Sequence, residues 1–291
     1  LDNETTQQVY FCVNNQDTGL SLAGYGSSSA DAAERPEPAP LPTTTFYYAA
    51  PQDGKPQFTL VTDKEPGEKL CVNVHSTAGF RVDWGDGNFM EYPWQGTVSA
   101  NHDLSASEVK VYPLEGSEIQ VFLCGGHKVT SVSVDCPALQ SLSLNDNRLE
   151  SLRIGNPALS VLLAGANRLE EIDLSGAPAL TVLTINDNRL SELDLSGNAI
   201  LNQVFAGGNM LEEVVLAPVM NELKLLNFDG NRLSSLDLSA APALKELVVS
   251  RNMFAGTLDL SANPGITHLN ISRNGIGSIK WGNGSKLESL F

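Results

Sequence analysis

The chain has 291 residues, with 18 basic and 34 acidic side chains and a formal net charge of −16. This charge disfavours a nucleic-acid partner, because phosphate binding requires clustered Lys and Arg that displace counterions. No stretch approaches the roughly 20 apolar residues that a transmembrane helix requires. We therefore expect no nucleic acid and no transmembrane segment, in a chain long enough for one large or two medium domains.

The four cysteines are spaced too widely for a zinc site or a disulfide scaffold. Cys12, Cys71, Cys124 and Cys136 form no CxxC pair. We expect Cys124 and Cys136 to be buried thiols, because they lie within or beside the apolar repeats described below. The sequence starts at Leu1 without a signal-peptide pattern, and a removed export signal and a cloning boundary both account for such a start.

Short predicted strands and a linker-like segment occupy the first 118 residues. Residues 7–13 are a candidate strand, and residues 21–44 are rich in Ser, Ala and Pro, which is typical of a linker or a long loop. Further strands are predicted for residues 45–49, 56–62, 69–75, 80–84, 108–114 and 118–124. Several short strands separated by Gly, Pro and Asp turns predict an N-terminal β-sandwich.

The tract VDWGDGN (82–88) resembles the WGDG signature of PKD-like, immunoglobulin-type domains. The His-x-Tyr segment usual downstream in that family is not recognisable around His102, so the resemblance rests on this tract alone. We expect its glycines to permit a tight turn and Asp86 to hydrogen-bond its own backbone.

From Phe122 onward, one pattern recurs every 20 to 22 residues. Each copy reads apolar-x-apolar-x-x-Asn-x-apolar-x-x-apolar-x-apolar, as in LSLNDNRLESLRI (142–154) and LTINDNRLSELDL (183–195). Seven copies carry the asparagine, at Asn147, Asn167, Asn188, Asn209, Asn231, Asn252 and Asn274. An earlier copy has His127 in this position, and residues 287–291 begin a ninth.

Each copy predicts two short strands, because apolar and polar residues alternate in two segments about ten residues apart. One coil buries too little apolar surface to offset the entropy of ordering it, so coils must stack. The sequence therefore predicts a mainly β chain. An N-terminal β-sandwich (1–118) precedes a right-handed solenoid of about eight coils with two short parallel sheets (119–291).

The asparagines have a structural role in this prediction. Their amides can satisfy backbone groups where the chain leaves the first strand, and stacked amides can hydrogen-bond to one another. We assign them no catalytic role. His127 is expected to belong to a cap at the junction with the N-terminal region.

The motif LxxLxLxxNxL, followed by LxxLDLSxNPxL, resembles bacterial leucine-rich repeats of the short type, with nested periods of ten and eleven residues. This resemblance implies an interaction protein that is exported or attached to the cell surface, as is common in Gram-negative gut bacteria. It thereby implies an extracytoplasmic location, with a lipid anchor as one means of attachment.

Function in a solenoid is expected on outward side chains, because the inward ones form the core. Two outward columns of the first strand place apolar residues in the middle of the sheet and polar residues at both ends. The predicted partner-binding residues are Val161, Leu163, Val182, Phe205, Leu225 and Val248. Such a patch is typical of a contact surface, although β-propensity alone also favours Val, Leu and Phe in strands.

The second strand carries an acidic stripe in its outward positions. Its carboxylates are Glu171, Glu192, Glu213, Asp173, Asp194, Asp237 and Asp259. We interpret the stripe as a solvated face, because no loop supplies the set of oxygens that calcium requires.

No catalytic motif is found, since GxSxG, GxxxxGK[ST] and HExxH are all absent. We therefore expect no catalytic residue, no cofactor and no metal. The sequence predicts a non-enzymatic protein that binds a protein or peptide. The alternatives are a glycan-binding surface protein, whose site should be lined by aromatic side chains, and an enzyme with an unrecognised site in the N-terminal domain.

Overall fold

A computed structural model of the chain describes residues 54–284 and 286–291. These residues form 22 β-strands and no helix, so the described part contains no helix that could span a membrane. The candidate strands at 7–13 and 45–49 and the linker-like segment 21–44 lie outside the described residues.

Six strands precede the first coil, and the next two belong to that coil. They are β1 (Phe58–Thr62), β2 (Lys69–Ser76), β3 (Phe80–Asp83), β4 (Phe89–Tyr92), β5 (Gly96–Asp103), β6 (Glu108–Pro113), β7 (Ile119–Leu123) and β8 (Val129–Val134). The sequence does not predict β4 and β5, because Pro93 and Gly96 interrupt the segment and Val98 is the one large apolar residue of β5.

These strands belong to two sheets. The strands β4-β3-β6-β1-β8 form one antiparallel sheet. Strand β2 pairs antiparallel with β5 on one side and with β7 on the other. The two sheets meet where the buried rings of Phe58 and Phe122 stack, with centroids 4.0 Å apart.

The WGDG tract forms the turn between β3 and β4. Asp83 accepts hydrogen bonds from the amides of Gly85 and Gly87 at 2.9 and 3.0 Å, and Asp86 accepts one from the amide of Asn88. Gly85 has a φ of +103°, and a Cβ there would lie 2.6 Å from the amide nitrogen of Ala106. Both conditions require glycine at this position.

The repeats add a front strand and a back strand per coil. The front strands after β7 are β9 (Ser141–Ser143), β11 (Val161–Leu163), β13 (Val182–Thr184), β15 (Gln203–Phe205), β17 (Leu225–Asn227), β18 (Glu246–Val248), β20 (His268–Asn270) and β22 (Ser289–Leu290). The back strands after β8 are β10 (Ser151–Arg153), β12 (Glu171–Asp173), β14 (Glu192–Leu195), β16 (Glu213–Leu216), β19 (Ala255–Leu260) and β21 (Gly275–Trp281).

All nine front strands pair in parallel, and through β7 they join β2 and β5 in one sheet of eleven strands, which we call the front sheet. The first coil therefore belongs to both regions, since its front strand β7 pairs with β2 and its back strand β8 pairs with β1. The back strands do not form the second continuous sheet that the sequence predicts. They pair only as β10-β12, β14-β16 and β19-β21, and residues 235–238 form no strand.

The apolar residues of each repeat form the core of the solenoid. Leu144, Ile185 and Phe228, which come from different coils, are fully buried in one apolar cluster with the N-terminal residues Leu60 and Val72. The prediction of a solenoid of about eight coils with an aliphatic interior is confirmed. Cys71, Cys124 and Cys136 are buried, and the thiols of Cys124 and Cys136 are free.

The asparagines hold neighbouring coils together. The Asn188 side-chain nitrogen donates to the carbonyls of Ala164 and Ile185 at 3.0 Å each, and its oxygen accepts a hydrogen bond from the Leu169 amide. The same three kinds of bond recur at Asn147, Asn167, Asn209, Asn231, Asn252 and Asn274. These side-chain amides hydrogen-bond to backbone groups. They do not hydrogen-bond to one another, which the sequence also predicts.

A second set of asparagines lies in the turns that follow the back strands. Asn156, Asn198 and Asn263 are at most 3% exposed. Each donates to a carbonyl of the preceding coil, at Cys136, Ala177 and Ala241 respectively. These three partners occupy the equivalent turn position, so a small residue there leaves room for the asparagine of the next coil.

Substitution of Asn188 tests the front asparagines. Asn188→Ala leaves the buried Leu169 amide without a partner and removes one of the two side-chain hydrogen bonds at the carbonyls of Ala164 and Ile185, and we expect a loss of about 2–4 kcal/mol in the free energy of unfolding. Asn202→Ala is the matched control, because the side-chain amide of Asn202 donates one hydrogen bond, to the Glu222 carbonyl, at an exposed site. Urea denaturation measures both, and equal losses in the two variants would contradict the assigned role.

His127 links the first coil to the N-terminal strands. Its Nε2 accepts a hydrogen bond from the Cys71 amide of β2 at 3.3 Å, while its own amide donates to Asn147. Burial, with a smaller contribution from the charge of Lys64, lowers the pKa of His127 to about 4. A neutral imidazole at this junction is therefore part of the native structure at neutral pH.

The lowered pKa of His127 predicts a pH-dependent stability. An unfolded histidine binds a proton below about pH 6.5, whereas the folded one does so only below about pH 4. The unfolded state thus binds more protons between these values, and stability falls as the pH falls. We expect the free energy of unfolding to fall by roughly 2 kcal/mol over this pH range, because partial exposure of His127 reduces the full effect.

The variant His127→Gln keeps an acceptor for the Cys71 amide and removes the titration. Urea denaturation from pH 7 to pH 4 should therefore show a flatter profile for this variant than for the parent chain. Parallel profiles would show that His127 is protonated equally in both states.

Candidate functional site: the outward face of the front sheet

The outward side chains of the front sheet form two rows, which we call the front face. Row one is Thr97, His75, Val121, Ser141, Val161, Val182, Gln203, Leu225, Glu246, His268 and Ser289. Row two is Ser99, Asn73, Leu123, Ser143, Leu163, Thr184, Phe205, Asn227, Val248 and Asn270. Eleven strands about 4.8 Å apart give a face of roughly 48 Å.

The structure places all six predicted partner-binding residues on this face. Val161, Leu163, Val182, Phe205, Leu225 and Val248 are half-buried, and none belongs to the core cluster. Leu163 and Phe205 flank Thr184 in register, and Thr184 is only 7% exposed. The two larger side chains therefore close over the hydroxyl and make the middle of the patch continuous.

The sequence does not predict that the front face continues into the N-terminal region. Strand β7 adds the half-buried Val121 and Leu123, beyond the small serines of β9. Strands β2 and β5 then end the face with polar groups, among them His75, whose Nδ1 lies 2.9 Å from the Thr97 hydroxyl. Only the antiparallel pairing of β2 with β7 brings these residues together, and no local motif indicates it.

A ridge of left-handed residues borders the face where the chain leaves each front strand. One residue per coil, directly before the asparagine or His127, has a φ between 52° and 74°. These residues are Gly126, Asp146, Ala166, Asp187, Gly208, Gly230, Arg251 and Arg273. At Gly208 a Cβ would lie 2.4 Å from the Asp187 carboxylate, so a larger residue would displace that side chain.

Charge is unevenly distributed along this ridge. Asp146 and Asp187 lie toward its N-terminal end, and Arg251 and Arg273 lie toward its C-terminal end. Arg251 forms an ion pair with Asp229, and this guanidinium is the main reason that the pKa of Asp229 is lowered.

The acidic stripe on the back strands has a structural explanation. Asp173, Asp194, Asp237 and Asp259 each accept a hydrogen bond from the amide of the serine two residues later. Hydrogen bonds from these serines lower the pKa of the first three aspartates, and Lys280 is the main cause for Asp259. Each aspartate therefore fixes the turn that follows its strand.

Glu171, Glu192 and Glu213 are exposed beside these aspartates and line a shallow depression on the back. Among the described residues, no group of three or more His, Cys, Asp or Glu side chains is arranged to hold a metal ion.

The titratable groups of the described N-terminal residues show no acid–base pair. Glu68 is half-buried and Asp86 is exposed, and hydrogen bonds that their carboxylates accept from Glu65 and Asn88 lower the pKa of both carboxyls. Burial raises the pKa of Tyr92 and of the Cys136 thiol to about 12 each, and raises that of Cys124 further. These thiols stay protonated and unreactive at neutral pH.

The described coils define a leucine-rich-repeat solenoid, in which apolar residues and asparagines recur once per turn. No protein-family model matches the chain, and no curated protein matches it.

Solved leucine-rich-repeat structures are similar to this chain. The leucine-rich repeat domain of APL1 is 28% identical, over 50% of this chain and 40% of that chain, with a TM-score of 0.46. YopM from Yersinia enterocolitica WA-314 is 23% identical over 59% and 42%, with a TM-score of 0.47. The functional domain of InlJ from Listeria monocytogenes is 23% identical over 54% and 40%, with a TM-score of 0.42. The matches cover less than half of each of these chains.

Proposed function

We propose that the chain is a non-enzymatic binding protein whose front face receives a protein or peptide. The observation that carries this proposal is the apolar patch of six half-buried residues between two polar ends of one continuous sheet. Half-exposed Val, Leu and Phe side chains gain free energy when a partner removes them from water. An apolar centre with a polar rim is the usual anatomy of such an interface.

A protein partner fits this face better than a glycan does. Sugar rings stack on exposed aromatic side chains, and Phe205 is the only Phe, Tyr or Trp in the two described rows. An enzyme is disfavoured because the described N-terminal residues bring no nucleophile, base and acid together. The patch instead offers aliphatic surface, which suits aliphatic and aromatic side chains of a polypeptide.

The proposal extends to the N-terminal strands and to location. We propose that the strands before the first coil form a PKD-like β-sandwich, supported by the glycine-dependent turn at Asp83–Gly87. Export or surface attachment is proposed from the resemblance of the repeats alone. The presence of an export signal with a lipid-modified cysteine in the complete gene would test it.

Two substitutions in the patch test the proposed function. A phage-displayed library of random 12-residue peptides, selected on the whole chain, supplies the probes. Phe205→Ala and Leu225→Ser should each lower the affinity for the selected peptides about tenfold or more, because central aromatic and aliphatic contacts dominate binding. Both side chains lie outside the core, so urea denaturation should show changes of about 1 kcal/mol or less.

Val215→Ser is the matched control, because Val215 is an exposed apolar residue of the back strand β16. Its affinity for the same peptides should equal that of the parent chain. Peptides that bind both patch variants as tightly as the parent chain would contradict the proposal.

A further inference from the structure

The C-terminal half of the front face carries two lysines without a carboxylate partner. Lys224 and Lys245 occupy the residue directly before the front strand in successive coils, and the Lys245 amide donates to the Lys224 carbonyl at 2.9 Å. Both side chains are exposed. The two ammonium groups thus stand one coil apart at the edge of the sheet, and we call them the lysine pair.

The lysine pair forms no ion pair with the described residues, although the chain is rich in acidic side chains. Nine basic residues of the described chain do form ion pairs, including Arg189, Arg232 and Lys280 of the solenoid. Neither lysine does so, although Glu222 and Glu246 are close in sequence. Like charges one coil apart repel each other, and a carboxylate placed between them would remove that repulsion.

The neighbours of the lysine pair indicate what kind of molecule would supply this carboxylate. Leu225 of the patch directly follows Lys224 in sequence, and Phe205 and Val248 lie on the adjacent front strands. On the opposite edge, Arg251 follows the front strand of the Lys245 coil and pairs with Asp229, whereas Arg273 follows the next front strand. A ligand here would meet apolar surface in the middle, the lysine pair on one side and Arg273 on the other.

The other half of the face has the opposite character. Asp146 and Asp187 border it on the ridge, and no described residue of the strand-entry edge there is basic, since its residues are Gln140, Ser160, Thr181 and Asn202. An anionic segment is therefore attracted to the C-terminal half and repelled from the N-terminal half. This asymmetry gives the bound molecule one preferred position.

We propose that the front face binds an acidic, extended segment of a protein partner. Its Asp or Glu side chains lie at Lys224 and Lys245, and its apolar side chains cover Phe205, Leu225 and Val248. The inference rests on the proposed function and deepens it, because it assigns the partner a charge and a position. Glu246, which points outward beside Leu225, keeps the carboxylates of the partner at the edge of the sheet.

The peptides selected from the random library test this inference. They should be enriched in Asp or Glu close to apolar residues, and their affinity should fall between about 50 and 300 mM NaCl. The variant Lys224→Gln/Lys245→Gln should bind them about tenfold more weakly and with little salt dependence. The control Lys55→Gln/Arg168→Gln removes the same charge from two exposed, unpaired residues off the face and should change affinity less than twofold.

A double-mutant cycle tests whether the lysine pair contacts the acidic residues of the peptide directly. Replacement of the acidic residues of a peptide by Asn or Gln should weaken binding to the parent chain and should cause no further loss with the lysine variant. Additive losses would contradict a direct contact.

The outcomes also separate this inference from the proposed function. If Phe205→Ala lowers the peptide affinity and the lysine variant does not, the proposal of an apolar interface is supported and the inference of an acidic partner is wrong. A library that yields no enriched peptide, or peptides insensitive to both changes, would overturn both. Circular dichroism should show no change in fold, because both lysines are exposed.

Discussion

One asparagine per coil satisfies the backbone groups that are left unpaired where the chain turns away from the front strand, and the rest of the solenoid depends on it. The turn bends tightly enough that the preceding residue takes a left-handed conformation even when it is Asp, Ala or Arg, which costs free energy for residues with a Cβ. The asparagine offsets this cost with hydrogen bonds to two coils at once. Each coil is thereby fixed at the height and rotation of its neighbour.

This fixed register gives the front face its properties. Residues at equivalent positions line up in straight rows, so a substitution in one coil changes one place on the surface and leaves the core intact. The inward positions of the front strands are committed to Leu, Ile, Val and Phe. The outward positions are free to differ, and they alternate between apolar, polar and charged residues along the sheet. A binding surface can therefore change without a change of fold.

The sequence predicts the coils well because their determinants are local and repeated. Spacing alone identifies the inward residues Leu144, Ile185 and Phe228 and the outward patch around Phe205. The second set of asparagines occupies the LDLSxN position of the repeat motif, but its structural role is not predicted, because Ala177 and Ala241 replace the asparagine in other coils. The interruption of the back strands also escapes prediction, since residues 235–238 keep the repeat motif and yet form no strand.

The junction could not be predicted because it depends on long-range pairing. Strand β5 has Val98 as its one large apolar residue, and no local motif indicates that β2 pairs with β7. His127 is recognisable as the residue in the asparagine position, but its bond to the Cys71 amide is visible only in three dimensions. The boundary drawn at residue 118 marks where the repeats begin, whereas the front sheet and the apolar core run through it.

The central claim is that the N-terminal strands and the coils share one front sheet, and native-state hydrogen exchange followed by NMR tests it most directly. Amides of β2 and β9 that pair with β7 should exchange with the same opening free energy as those of β11 and β13, because they open as one unit. Amides of β2 that exchange more than about a hundredfold faster than those of β9 would show two separate units and contradict the account.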